Sequence, residues 1–490
     1  MVKSCNGLLP LFILLFAGCT TPYPFHPSKP NLRVEIAKIR DKEIEAGSEM
    51  GIIINDAQTG EVLYQAHADR RFTPASNTKL LTSAAAFGVL GPNYRFETRL
   101  FAGGRTEGDT LVGDVYLQGS GDPTLHPQNL EAFAAALAKR GIKEIQGHLI
   151  LDDSSFDKIP LGAGWSWDDE KMALSAQVSA LNYSFTPEGD INVVRVDVRP
   201  GESKYAAGRA VYYPSNDIVK LMNLTTTGDE TALKFERKPG SNLIIVTGTI
   251  GLGEQGRSEL VTIDSPTQVV GGILKSAFRT HGIKLQGRII EGKVPPGVQL
   301  VSTQMSKPLS DLAVTLLKYS NNGYAEILTK AMGQKTRKRG DWPSGLLAIR
   351  EYIRGLGIDT DRLRQVDGSG LSRMNQLTPR QLAALLRRVT TEPWFNAWYK
   401  ALPVAGEPGI IGGTLKNRML NSSAAGRTHA KTGTMTGVSA LSGYIDPASG
   451  RRMIFSIISN NYLVSTAKIK AVEDELVELL ANCGSTVACR

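Results

Sequence analysis

No stretch of the chain beyond its first twenty residues approaches the 18 consecutive apolar residues of a membrane-spanning helix. The expectation is therefore a soluble body, tethered at most. Cysteine is scarce, with four in 490 residues. Two of these, Cys5 and Cys19, fall in the N-terminal segment, so any disulfide in the body must join Cys483 to Cys489 in a small terminal loop. Charge of one sign is not in large excess either. The formal net charge is +9, and its only run, KTRKR at 335–339, reads as a solvated surface turn rather than a nucleic-acid patch, although a basic surface suits an anionic polymer nearby. Fixed-period repeats and low-complexity tracts are absent, which leaves an ordinary globular protein with 41 % apolar and 21 % charged residues.

What is present begins with an address. MVKSCNGLLPLFILLFAGC carries one lysine, an apolar stretch from Leu8 to Phe16 and small residues before Cys19, the layout of a secretory signal over residues 1–19. Phe16-Ala17-Gly18-Cys19 resembles a bacterial lipobox with Cys19 as the lipidated residue, Phe16 standing where Leu, Val or Ile is usual; a plain cleaved signal is the alternative. Residues 20–34 are rich in Pro and polar residues and read as a linker.

Two hairpins follow at opposite ends of the chain. MGIIINDAQTGEVLYQA turns at Gln58 to Gly60, and ALSGYIDPASGRRMIFSIIS turns at Asp446 to Gly450. A helix opens near Ser76 and stops at Gly91-Pro92, and a last helix, STAKIKAVEDELVELLAN, puts Ile469, Val472, Leu476 and Leu479 on one face. Antiparallel strands flanked by helices at both ends predict one α+β domain built from residues 35–97 and 300–490. Residues 98–299 read mostly as strands, with EAFAAALAKRG the one clear helix, and predict a β-rich insertion.

FTPASNTKL sets Ser76 and Lys79 three apart at the head of an apolar helix, where both share one face. The spacing alone is weak, because Ser155 to Lys158 and Ser465 to Lys468 repeat it; the first lies in a polar loop, and Ser465 reads as a helix N-cap. Only the Ser76 helix is apolar enough to bury its lysine. Ser320-Asn321-Asn322 before a helix, and Lys431-Thr432-Gly433 before the second hairpin, complete an ordered triplet of motifs shared by penicillin-binding proteins and serine β-lactamases. A second SNN, at Ser459 to Asn461, follows Lys431 and ends a strand.

The chemistry asks for these residue types. A serine hydroxyl needs a base, and a lysine serves when burial or nearby positive charge lowers its proton affinity, which points to Ser76, Lys79 and Lys431 as the second cation. Backbone N–H groups of Ser76 and Thr434 are candidate oxyanion donors. Ser320 can relay a proton to a leaving amine, Asn322 can orient an amide, and Lys431 with Thr432 can hold a carboxylate. A class A β-lactamase would also carry a Glu-x-x-Leu-Asn element for deacylation after the serine, and none is present.

KYSNNGYAEIL, VDGSGLSRMN, LPVAGEPGIIGGTLKNRM and AKTGTMTGVSALSGYI together resemble the D-alanyl-D-alanine carboxypeptidase/endopeptidase family, the class C low-molecular-mass penicillin-binding proteins. The long gap between Lys79 and Ser320 agrees, since that family carries two extra domains there. The resemblance implies a transpeptidase-like α+β catalytic domain and a periplasmic or cell-envelope hydrolase. Its expected partners are peptidoglycan stem peptides as substrates and β-lactam antibiotics as covalent inhibitors, with no cofactor, no metal and no nucleic acid. It implies Ser76 as acylated nucleophile, Lys79 as general base, Ser320 and Asn322 as the second element and Lys431 to Gly433 as the third. Arg373 and Met435 correspond to residues near the bound peptide. Asp169 falls where some relatives grip the stem diamino acid, against the reading of Asp168 and Asp169 as an exposed acidic loop; relatives place tyrosine near the Leu174 position. A β-lactamase or esterase on the same scaffold, and a non-catalytic wall-binding lipoprotein, are the competing readings.

Overall fold

The computed structural model describes residues 29–45 and 47–489. The signal segment and Cys19 lie outside the described residues. The described chain opens with α1 (Leu32–Glu45), the hairpin β1 (Glu49–Asp56) and β2 (Val62–Ala66), and a 3-10 turn at Ala75–Asn77 that runs straight into α2 (Thr78–Val89). Then come β3 (Glu97–Ala102), β4 (Arg105–Glu107), β5 (Thr110–Val112), β6 (Val115–Gly119), α3 (Pro127–Ala138), β7 (Glu144–Ile145) and β8 (Leu149–Asp152). A long segment with 3-10 turns at Trp167–Asp169 and Ala173–Ser175 leads to β9 (Val193–Arg199), β10 (Arg209–Tyr213), β11 (Lys220–Gly228), β12 (Ala232–Arg237), β13 (Leu243–Gly251) and β14 (Arg257–Thr262). α4 (Pro266–Thr280), β15 (Lys284–Leu285), β16 (Ile289–Glu291) and β17 (Gln299–Met305) complete the middle. The last third holds α5 (Leu309–Lys318), α6 (Asn322–Arg337), α7 (Trp342–Gly355), α8 (Pro379–Val389), α9 (Phe395–Lys400), α10 (Gly409–Gly412), β18 (Thr428–Met435), β19 (Val438–Ile445), β20 (Met453–Asn460) and α11 (Thr466–Ala481).

One five-stranded antiparallel sheet, ordered β18-β19-β20-β1-β2, joins the two ends of the chain. Every residue of β19 and β20 is buried, because alternate side chains enter two different cores. Ala440, Tyr444, Ile454 and Ile458 pack with α2, α5, α6 and α8, while Leu441, Ile445, Phe455 and Ile457 pack with α1 and α11. This is the α+β arrangement that the sequence predicts, an antiparallel sheet flanked by helices. α2 is enclosed by its neighbours, buried without a break from Thr78 to Phe87, and Gly88 lets the Tyr352 ring of α7 lie against its backbone.

The middle of the chain forms the other four sheets, around one apolar core that includes Leu117, Phe133, Val196, Val246 and Phe278. Three features differ from the sequence reading. α4 was not expected: its Gly271-Gly272 pair reads as a helix breaker, yet the two glycines let the helix lie against Leu151, Ile289 and Ile218, where a Cβ would not fit. α1 begins at Leu32, inside the stretch read as linker, because Leu32 and Ile36 bury against the main sheet. β17, from Gln299 to Met305 and paired with β3, is a strand that the sequence reading did not name.

α11 also departs from its predicted face. Ile469 and Leu476 are buried as expected, but Val472 and Leu479 are only partly so, and the carboxylate of Glu473 occupies the core side. Glu473 accepts from Ser439 Oγ at 2.7 Å and from Arg418 Nη2 at 3.0 Å, and Arg418 also pairs with Asp474. Burial raises the Glu473 carboxyl against the pull of Arg418. KTRKR forms the exposed end of α6, with its cations at the helix C-terminus. Ser465 stands at the N-cap of α11, though its side chain makes no capping bond.

Arg418→Met strands the Glu473 carboxylate, and the expected loss is about 3–5 kcal/mol of unfolding free energy in a urea titration. A loss below about 1 kcal/mol would show that this pair does not hold α11 to the sheet.

Candidate active site

Ser76 sits in the middle of the 3-10 turn, held against two strained or crowded backbones. Ala75 has φ +46°. Gly370, at φ +85°, comes so near the turn that an added Cβ would stand 1.9 Å from the Ala75 carbonyl oxygen. On the other side Gly433 of β18 packs against Pro74 and Ala75, and Asn77 Nδ2 donates to the Lys431 carbonyl at 3.0 Å. Turn and strand are thereby fastened together, and no side chain at 433 could be accommodated without displacing them.

Lys79, the second residue of α2, is completely buried. Its Nζ lies 2.8 Å from Ser76 Oγ, 2.6 Å from Asn322 Oδ1 and 2.8 Å from the Ser369 carbonyl oxygen. Three acceptors match the three protons of an ammonium, but burial pushes the group down to about 7, against the opposing charges of Glu326 and Asp367. Near neutral pH a large fraction is the free amine, which can accept the Ser76 proton.

The second cation stands close by. Lys431 Nζ donates to Ser320 Oγ at 2.8 Å and to the Thr432 carbonyl at 2.7 Å. Burial first, then the proximity of Lys79, drives it well below an ordinary lysine. Ser320 has φ +60°, the kink between α5 and α6 that turns its hydroxyl toward Lys431. The helix after it is capped by Asn321, whose Oδ1 accepts from Tyr324 N–H at 3.1 Å. Asn322 also donates its amide to the Leu174 carbonyl at 2.8 Å, so the 173–175 turn from the middle of the chain forms one wall of the site.

β18 is the edge strand of its sheet. Residues 403–405 cover the first part of that edge, through Ala430 N–H to the Pro403 carbonyl and Ala405 N–H to the Thr428 carbonyl. Backbone groups alternate in direction along a strand, so those of Thr432 and Thr434 point to the same edge, beyond the cover. The cover is itself anchored by Lys318, whose Nζ donates to the carbonyls of Leu402 and Ile411 at 2.6 and 2.7 Å, and by Thr414, bonded to Thr432 at 2.8 Å.

The five central residues of the sequence reading, Ser76, Lys79, Ser320, Asn322 and Lys431, thus converge in one cluster. Arg373 and Met435 lie at its rim, with Arg373 Nη2 donating to the Thr436 carbonyl at 2.7 Å. Asp169 lies in the Trp167–Asp169 turn, farther along the wall segment, and is not among the side chains bonded to the cluster. Cys483 and Cys489 are bonded to each other with Cα atoms 5.3 Å apart, at the far end of α11. The decoy Lys158 pairs with Asp153 and Glu291 on the surface.

Sequence reasoning gave no role to Glu326, Asp367, Ser369 or Lys318. Glu326 is a charged residue one turn after Asn322, amid residues buried on α6, and Asp367 opens the Gly-rich run DGSG. A charge in an apolar helix stretch was the available signal.

A family model described as "D-Ala-D-Ala carboxypeptidase 3 (S13) family" matches residues 32–483. A D-alanyl-D-alanine carboxypeptidase of an Actinomadura species is 38% identical over 459 residues, covering 92% of this chain and 84% of that protein. The D-alanyl-D-alanine carboxypeptidase DacB of Haemophilus influenzae is 26% identical over 90% of this chain and 91% of its own. The crystal structure of penicillin binding protein 4 from the same organism superposes with a TM-score of 0.78 at 25% identity, over 91% of this chain and 98% of that one.

Gly370→Ala is expected to lower stability by at least the ~1–3 kcal/mol of a left-handed non-glycine residue. Thermal unfolding measures it, and an unchanged midpoint would show that the loop does not bear on the Ser76 turn.

Proposed function

The chain belongs to the D-Ala-D-Ala carboxypeptidase 3 family, and from that premise we propose that it hydrolyses D-Ala-D-Ala termini and D-alanyl cross-bridges of peptidoglycan through an acyl-enzyme on Ser76. It is a serine-type hydrolase, and penicillins acylate the same residue. The observation that carries this reading is the 2.8 Å contact between Ser76 Oγ and a buried Lys79 whose proton affinity has fallen to about 7.

In the forward step, neutral Lys79 takes the Ser76 proton as Oγ attacks the penultimate D-alanyl carbonyl. Charge on the tetrahedral oxygen meets the backbone N–H groups of Ser76 and Thr434, the latter on the uncovered edge of β18. The terminal carboxylate lies against Lys431 and Thr432. The proton that Lys79 took is relayed through Ser320, itself bonded to Lys431, to the departing D-alanine amine, which leaves Lys79 free again, and Asn322 aligns the peptide while holding Lys79. Water then releases the acyl group, with the proton returning to Ser76.

The catalytic unit in this reading is 35–97 with 300–490, and 98–299 is the insertion that supplies a wall of the site. The N-terminal segment, with its lipobox-like Cys19, makes the enzyme an exported protein of the periplasm or cell envelope, anchored by a lipid on that cysteine. Arg373, Met435 and Asp169 are its contacts to the stem peptide.

Incubation with pentapeptide muropeptides and cross-linked dimers, followed by mass analysis, is expected to show loss of one D-alanine and conversion of dimers to monomers. Recovery of both substrates intact would refute the activity. Fluorescent penicillin is expected to label the wild type but not Ser76→Ala, and labelling of that variant would refute the nucleophile. Because the base must be unprotonated, the wild-type acylation rate should rise with pH through about 7. A rate that falls across that window would exclude Lys79 as the proton acceptor.

A further inference from the structure

One residue removed from Lys79, through Ser369, lies a carboxylate that the proton transfers above do not use. Glu326 is fully buried on α6, one turn beyond Asn322. Its Oε2 accepts the Gly368 N–H and Trp342 Nε1–H, both at 2.8 Å, and its Oε1 accepts the Ser369 N–H at 2.8 Å. The carbonyl of that same Ser369 holds Lys79. One side chain therefore grips the backbone on either side of the Gly368–Ser369 link, and α6 reaches Lys79 twice, through Asn322 directly and through Glu326 by way of the loop.

A carboxylate is a costly way to satisfy three donors in a core, since its charge must be taken out of water; burial, with Asp367 beside it, raises the Glu326 carboxyl well above the usual range, against the pull of its three donors. Its charged surroundings are mixed. Lys79 faces it from α2, with Lys431 of β18 beyond; Lys330 lies one turn on along α6, paired with Asp157 and exposed to the charge of Asp341; and Asp367 faces it from the loop. Asp367 is occupied by four donors of its own: the N–H groups of Gly370 and Ser372, Asn375 Nδ2 and Trp165 Nε1. Of the two carboxylates, Glu326 is the one bonded to the residue that touches Lys79, and its charge weighs first among those opposing the effect of burial on that lysine.

We propose that Glu326 is a positioning residue for acylation, holding Lys79 in line with Ser76 through the Gly368–Ser369 backbone and acting as its buried counter-charge. The inference rests on the reading of Lys79 as the base. Glutamine at this position tests both parts. Its carbonyl can keep Gly368 and Trp342, but its NH2 then meets the Ser369 N–H donor to donor and pushes away the carbonyl that holds Lys79. Its neutrality also removes a charge that keeps Lys79 protonated, so the free amine should prevail at lower pH.

The experiment is the pH profile of acylation by fluorescent penicillin in wild type and Glu326→Gln, with circular dichroism to check the fold. The expected result is a folded variant acylated up to ~10²-fold more slowly, with the midpoint of its profile moved to lower pH by about one unit. A midpoint that stays at the wild-type value overturns the proposal, whatever the rate. Should Glu326→Gln fail to fold, Trp342→Phe keeps a ring over Lys330 but withdraws a donor that favours the ionised form of a carboxyl already raised by burial and by Asp367, so more of it is neutral; the midpoint should move the same way by a smaller amount, and an unmoved one overturns the proposal. Absence of labelling in the wild type itself would instead refute Ser76 as nucleophile, a separate failure.

Discussion

The structure turns on one buried amine. Lys79 is useful only because water does not reach it, and every element around it contributes to that exclusion: α2 carries it, α6 and the 367–372 loop cover it, and β18 closes the side next to Ser76. Taking a cation out of water costs several kcal/mol, and the site spreads that cost over three short hydrogen bonds and the neighbouring carboxyl groups of Glu326 and Asp367. Lys431 adds to the constraint. Two lysines this near in a core resist being charged together, so the site favours one free amine, the form in which a base can act.

Much of this was legible in the sequence. The two hairpins and the terminal helix declared themselves by period and turn residues, and the order of the three motifs singled out Ser76 from two decoys of equal spacing. The decoys differ from it in a property that spacing cannot carry: the Lys158 side chain reaches solvent and acidic partners, whereas Lys79 is enclosed. What stayed illegible was long-range packing. α4 hides behind a glycine pair whose purpose appears only once β8 and β16 lie against it. Val472 and Leu479 fit an apolar stripe, yet a paired glutamate took the core position because Arg418 arrives from a loop more than fifty residues away. Glu326 and Asp367 showed only as charges in apolar or glycine-rich surroundings, since their partners, backbone N–H groups and the distant Trp342, Asn375 and Trp165 side chains, meet them only in the fold.

The inserted segment is not a passive passenger on this scaffold. Phe156, Ala176, Val178 and Ile191 belong to the same apolar cluster as α2 and α6. Lys330 of α6 donates to Asp157 and to the Ile159 carbonyl, Trp165 reaches the buried Asp367, and the Leu174 carbonyl meets Asn322. Two of these contacts end on groups that act on Lys79, Asn322 by a hydrogen bond and Asp367 by its charge. The insertion therefore bears on the state of the base as well as on the outline of the cleft.

The distance along the chain between Ser76 and Lys431 has a meaning in time. A polypeptide made from its N-terminus carries the serine early and the strand that completes the site almost last. Until β18 is laid against the 3-10 turn, that serine is an unremarked alcohol on a wet helix start, no more reactive toward an ester or a lactam than any other. Reactivity is thus a property of the finished molecule. A chain still being made holds the nucleophile without the means to use it.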